Sequence, residues 1–219
     1  MAYKEALKEK KAKPRRYSLN LKDITRLLSS AQDKRDQTII SLMAFNGLRL
    51  EEVGHIRRDW INFEQRTITI PTQAPEPYVP RRWYIEDGVK KPKDITDLNT
   101  WRPKTTGSAA TIPILNWLDD WYIKLLFAYF SQKDWIGICG KSCYNHLKKT
   151  YKASGIKKPV YPHLLRHTHA RLLRDRGFPP EDVMFLMRHQ SLNTTWQYGK
   201  IEDKEKCTLL LKKESFQSL

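Results

Sequence analysis

The sequence predicts a mainly α-helical fold with a small antiparallel β-sheet, an α+β protein. Three observations predict it: apolar residues recur at helical spacing through most of the chain, the alternating run Thr67-Ile-Thr-Ile70 breaks that period, and residues 101–114 combine extended-type residues with turn chemistry. With 40% hydrophobic residues, seven Trp and ten Tyr, the 219-residue chain has apolar surface for one sizeable core, which excludes global disorder.

Residues 1–17 carry Lys4, Lys8, Lys10, Lys11, Lys13, Arg15 and Arg16 against Glu5 and Glu9, and they read either as a basic arm, flexible alone and ordered on DNA, or as a solvated helix end with no partner. Asn20 is placed to cap a helix whose Leu21, Ile24, Leu27 and Leu28 share a face, and a second helix follows with Ile39, Ile40, Leu42, Met43 and Phe45. Asn46-Gly47 stops it, and the glycine allows a tight corner that presents Arg49. The strand 67–70 ends at Pro71, and residues 71–100, with five prolines, read as an insertion outside the core. Trp101 to Ile114 is expected to form a local hairpin turning at Thr106-Gly107-Ser108, with Lys104 beside the turn.

The remainder reads as helical. Leu115, Leu118, Trp121, Tyr122, Leu125 and Tyr129 recur at helical spacing and are expected in the core, as are Cys143, Leu147 and Tyr151. A helix over 164–176 is closed by Gly177, another opens at Pro179-Pro180 and reaches Met187, and Ser191 caps a last one carrying Tyr198. The tail 200–219 holds Leu209 to Leu211 amid charges and suits docking in trans.

Forty Lys and Arg against 24 Asp and Glu leave a net charge of +16, which points to a polyanionic partner. Cys139, Cys143 and Cys207 form an odd set without a disulfide framework, as in a reducing compartment. The N-terminal stretch is charged throughout, and the longest apolar run, Leu125 to Phe130, is too short to span a bilayer. The expectation is a cytoplasmic, DNA-associated protein without a membrane partner. Cys139, Cys143, His163 and His167 are ligand types for zinc, but their spacing is loose, and no metal is expected.

Five sequence features line up in order: Asn46-Gly-Leu-Arg49-Leu-Glu-Glu52, Lys104-Thr105, His163-Leu-Leu-Arg166, His189, and Tyr198. The order and spacing resemble the tyrosine recombinase (phage integrase) family, with its T-G-L-R-x-x-E motif, hairpin lysine, H-x-x-R motif, second histidine and tyrosine nucleophile. The resemblance covers roughly residues 18–199 and implies the tyrosine recombinase catalytic-domain fold. The length of the 71–100 insertion resembles archaeal or viral members. Two positions depart from the family pattern: Ala110-Thr111-Ile112-Pro113 lacks the usual strand arginine, and Arg188 stands where a glycine commonly precedes the second histidine. Arg188 is expected at the surface, where it is a candidate DNA-backbone contact.

The chemistry accounts for the residue types. In-line attack on a phosphodiester builds negative charge on non-bridging oxygens, and guanidinium groups bind two such oxygens while staying charged. Arg49 and Arg166 fit that clamp, and Tyr198 fits the nucleophile of a covalent 3′-phosphotyrosine intermediate. The resemblance implies Lys104 as proton donor to the 5′-oxygen, His163 as an aid to proton transfer, and His189 as a phosphate hydrogen-bond donor. No cofactor is needed. The expected function is therefore a site-specific recombinase or integrase on double-stranded DNA, acting as a tetramer at the synapse and a monomer when free. A type IB topoisomerase-like enzyme and a non-catalytic basic DNA-binding module remain alternatives. The resemblance also implies a preceding helical clamp domain for which the chain has no room, so it is expected to be a catalytic-domain piece or a minimal enzyme whose basic arm partly replaces the clamp.

Overall fold

The computed structural model describes residues 18–75, 83–87, 89–92, 100–101, 103, 108–115, 119–188 and 207–211. Helix α1 (Leu21–Ser29) starts as the sequence predicts: Asn20 Oδ1 accepts from the Asp23 N–H at 2.7 Å, and the Asp23 carboxylate accepts from the Asn20 N–H at 3.4 Å. Its Ile24, Leu27 and Leu28 are buried. Helix α2 (Lys34–Phe45) is capped by Asp33 and buried nearly all round, from Thr38 to Phe45. A helix with no polar face belongs at the centre of a bundle. Accordingly α2 touches α1, α3 (Leu50–His55), α4 (Asp119–Phe130), α5 (Gly140–Ser154) and α6 (Pro162–Asp175).

Helix α3 packs on the chain entering α5 through a close approach at Gly54. A Cβ there would lie 2.1 Å from the Ile138 carbonyl oxygen, so no other residue fits without moving backbone. Helix α6 begins at Pro162, two residues before the predicted start, because a first-turn proline has no N–H to lose. Helix α7 (Pro180–Met187) starts the same way and ends at Arg188, which takes left-handed backbone angles of φ 50° and ψ 49°.

Strands β1 (Ile61–Asn62), β2 (Thr67–Ile70) and β7 (Ala110–Pro113) form an antiparallel sheet with β2 in the middle. This corrects the expected local hairpin over 101–114: β7 pairs with β2, Thr67 opposite Pro113 and Ile70 opposite Ala110. The insertion is itself partly strand. β3 (Ala74–Pro75) pairs with β6 (Thr100–Trp101), and β4 (Trp83–Glu86) with β5 (Val89–Pro92). Both pairings share one register, since 74 with 101 and 83 with 92 each sum to 175. Between Ile70↔Ala110 and Ala74↔Trp101 the outgoing arm has three residues, 71–73, and the returning arm has eight, 102–109. Lys104 is one of those eight and lies outside the described residues.

The principal core joins α1, α2, α3, α4, α5 and α6 to the sheet through residues such as Leu27, Ile39, Leu42, Ile68, Tyr122, Leu147 and Leu165. A second cluster gathers Leu115, Leu173, Phe178, Val183, Leu186, Met187 and Leu210. In the helical turn 207–211, Leu210 is buried in that cluster and Cys207 Sγ donates to the Thr111 carbonyl at 3.3 Å. This part of the tail therefore packs on its own chain.

Candidate active site

The site is built where three chain segments meet: the α2–α3 corner, the middle of α6 and the end of α7. Helix α2 ends at Asn46, and Gly47 turns the chain with a φ of +59°. A Cβ at Gly47 would lie 2.7 Å from Cδ2 of the buried His169 ring and 3.2 Å from Met187 Sδ, so the corner is closed to larger residues. The turn is tied down by Asn46, whose Nδ2 donates to the Pro113 carbonyl at 3.2 Å and whose Oδ1 accepts from the Tyr122 hydroxyl.

Arg49 follows as the residue capping α3. Its N–H donates to Glu52 Oε2 at 2.7 Å and its Nη1 to Glu52 Oε1 at 3.0 Å, while Nη2 donates to the Arg188 carbonyl at 3.3 Å. Arg166 reaches the same place from α6: Nη1 donates to the Gly47 carbonyl and Nη2 to the Met187 carbonyl. Two guanidinium groups 117 positions apart in sequence thus bind the adjacent carbonyls of residues 187 and 188.

A third arginine completes the cluster. Arg188 Nη2 donates to Glu52 Oε2 at 2.8 Å and to the Gly47 carbonyl at 3.5 Å, and Nη1 donates to the Ser108 carbonyl at 3.4 Å. Its side chain is 1% exposed, against 26% for that of Arg49. The surface position expected for Arg188 is therefore corrected: the residue is interior, and its guanidinium is held by Glu52 and by main-chain oxygens. Sequence reasoning had no signal for this, because a lone arginine in a chain with 40 basic residues looks like surface charge.

Burial and like charge set the electrostatics. Arg166 is pushed down to about 9 by burial and then by the Arg188 and Arg49 charges, with Glu52 opposing, so it stays charged at neutral pH. Burial also lowers Arg188, against the pull of Glu52. For Glu52, burial would raise the carboxyl, but Arg188 and the Arg49 contacts outweigh it and hold it below its ordinary value. Among the described residues, three guanidinium groups around one carboxylate leave two positive charges unmatched, an arrangement suited to anionic oxygens.

His163 lies at the exposed start of α6, one turn before Arg166 on the same helix. The other sequence-derived candidates, Lys104, His189 and Tyr198, and the arm residues Lys10, Lys11, Lys13, Arg15 and Arg16, lie outside the described residues. Among the described residues no group of three or more His, Cys, Asp or Glu side chains is placed to hold a metal ion. Two further contributors, Glu52 and Asn46, sit inside the motif around Arg49. The three-residue spacing from Arg49 to Glu52 at a helix start was the available signal for the first.

The chain belongs to the phage integrase family, which it matches over residues 18–205. Among curated relatives, the tyrosine recombinase XerD of Listeria innocua is 26% identical over 196 residues, covering 84% of this chain and 57% of that protein. The tyrosine recombinase XerA of Pyrococcus furiosus is 29% identical over 193 residues, covering 85% and 58%. The chain thus spans little more than half the length of these relatives. Among solved structures, the integrase from mycobacterium phage Brujita has a similar fold, with a TM-score of 0.61 at 22% identity over 92% of this chain and 58% of that one. The fold is that of the tyrosine recombinase catalytic domain, a helical body with a small antiparallel sheet.

Proposed function

We propose that this chain is the strand-transferring part of a site-specific DNA recombinase, with double-stranded DNA as its substrate. The observation that carries the reading is the convergence of Arg49 and Arg166 on neighbouring carbonyls around one ion-paired carboxylate. Family membership supports it, and the relatives are themselves tyrosine recombinases.

In this mechanism the Tyr198 phenol oxygen attacks the phosphorus in line. A tyrosine–phosphate bond forms, the bond from phosphorus to the 5′-oxygen breaks, and that oxygen leaves with a proton. Lys104 supplies the proton to the 5′-oxygen, and His163 assists removal of the phenol proton. Arg49 and Arg166, with His189, stabilise the charge on the non-bridging oxygens. The phosphodiester energy is kept in the covalent adduct, so the reverse attack by a 5′-hydroxyl rejoins DNA without ATP. Four copies acting on two duplexes would complete an exchange.

A nicked half-site duplex, which loses its 5′-fragment after cleavage, tests the reading by trapping the adduct. The expected result is a covalent protein–DNA species that is lost with Tyr198→Phe and slowed about a hundredfold or more with Arg49→Ala. DNA binding without any adduct would instead identify a passive DNA-binding module.

A further inference from the structure

We propose that Arg188 is a positioning residue that holds Arg49 from two sides, an inference resting on the strand-transfer reading of the site. One hold runs through its side chain. Arg188 Nη2 pairs with Glu52 Oε2 at 2.8 Å, and the other Glu52 oxygen, Oε1, accepts from Arg49 Nη1 at 3.0 Å. The second hold is its own backbone, because the Arg188 carbonyl accepts from Arg49 Nη2 at 3.3 Å.

The two holds depend on one conformation. Arg188 ends α7 in the left-handed region, φ 50° and ψ 49°, a corner that a glycine would take without strain. There the carbonyl meets Arg49 while the side chain turns inward to Glu52. With two of its five N–H groups fixed in this way, the Arg49 guanidinium plane is set, and the other three meet no partner among the described residues. Arg188 also donates to the Gly47 carbonyl that Arg166 uses, so it touches the supports of both clamp arginines.

Two simpler roles fit less well. A direct phosphate contact is incompatible with a side chain that is 1% exposed. A packing role would be filled better by an apolar residue, which avoids burying a charge. What an apolar residue cannot do is neutralise Glu52, which is itself buried and would otherwise share its two oxygens with Arg49 alone.

The test uses the full chain and an arginine-selective dicarbonyl reagent, phenylglyoxal, with each modified arginine located by mass spectrometry. Arg188→Met is expected to raise the labelling rate of Arg49 about fivefold or more, because Glu52 loses the ion pair that fixes it and the corner that presents the residue-188 carbonyl loses its side-chain anchor. The exposed Arg171 serves as the control and is expected to stay within about twofold. Arg188→Lys, which keeps a cation, is expected to restore much of the protection. Unchanged labelling of Arg49 overturns the proposal, as does a parallel rise at Arg166 and Arg171, which would mean a loosened fold. Should Arg188→Met fail to give a cooperative melt, Arg188→Gly suits the left-handed corner and removes the guanidinium, and the same outcomes decide.

A second arm uses single-turnover adduct formation on the nicked half-site. Arg188→Met is expected to slow the step about tenfold at saturating DNA while affinity stays within about twofold, and Arg188→Lys to recover most of the rate. Equal losses of affinity and rate would overturn the positioning role. A wild-type chain that forms no adduct removes the strand-transfer reading alone, because the labelling experiment still decides whether Arg188 holds Arg49.

Discussion

His169 shows how one residue carries the cost of placing arginines in an interior. Burial first, and then the Arg166 and Arg188 charges, push its imidazole down to about 3, so it is neutral when folded and charged when unfolded below its ordinary value of 6.5. Between those values the unfolded chain binds a proton that the folded one refuses, and stability falls as pH falls. Glu52 acts in a lower window. Its folded value is depressed, so its contribution is complete above 4.5 and is lost as pH drops through the folded value. Urea unfolding between pH 6.5 and 4.5 should therefore isolate His169, with a slope of up to about 1.4 kcal/mol per pH unit that His169→Phe largely removes. Equal slopes in the two proteins would refute this assignment. At this scale the sequence was informative where chemistry restricts residue choice. Arg49, Glu52 and Arg166 were legible because they sit in spaced motifs. The inward turn of Arg188 was not, because it follows from a backbone conformation that composition does not record.

Among elements, the Tyr122–Asn46–Pro113 chain joins α4, the end of α2 and β7 in one hydrogen-bonded line. Burial raises the Tyr122 hydroxyl well above 10, so it remains a donor at any working pH. Tyr122→Phe removes that donor and leaves the Asn46 amide oxygen buried. The expected loss is about 1–2 kcal/mol in urea unfolding, together with slower adduct formation because the Gly47 corner is loosened. No change in either measurement would count against this linkage. Helices were legible from periodicity and from caps such as Asn20, because both signals are local. Strand pairing was not: residues 110–113 look as if they turn back on 101, whereas their partner lies some 40 residues upstream in β2. Asp87-Gly88 was the unread signal, a dipeptide that favours a two-residue hairpin turn, and Asp87 takes the positive φ of 52° that such a turn needs.

For the whole molecule, a net charge of +16 implies that phosphate contacts dominate any affinity for DNA. Binding to a short duplex should weaken on the order of a thousandfold between 50 and 200 mM salt, as expected when 6–10 phosphates are contacted. Deleting residues 1–17, with their seven Lys and Arg, should flatten that dependence. A filter-binding titration with a flat salt response, or an unaltered slope after the deletion, would show that the arm and the charge do not serve DNA. The composition made this partner class legible, while the mutual placement of α3, α6 and α7 was not, since it arises from contacts between residues more than a hundred positions apart.

The charge surplus around Glu52 also bears on folding itself. Three cations together with a single anion repel one another, and any oxyanion that settles there relieves that repulsion in the native state alone. Occupancy and resistance to unfolding are consequently one equilibrium seen from two ends, and a nucleic acid seated at this spot would act as a missing piece of the interior as well as a substrate.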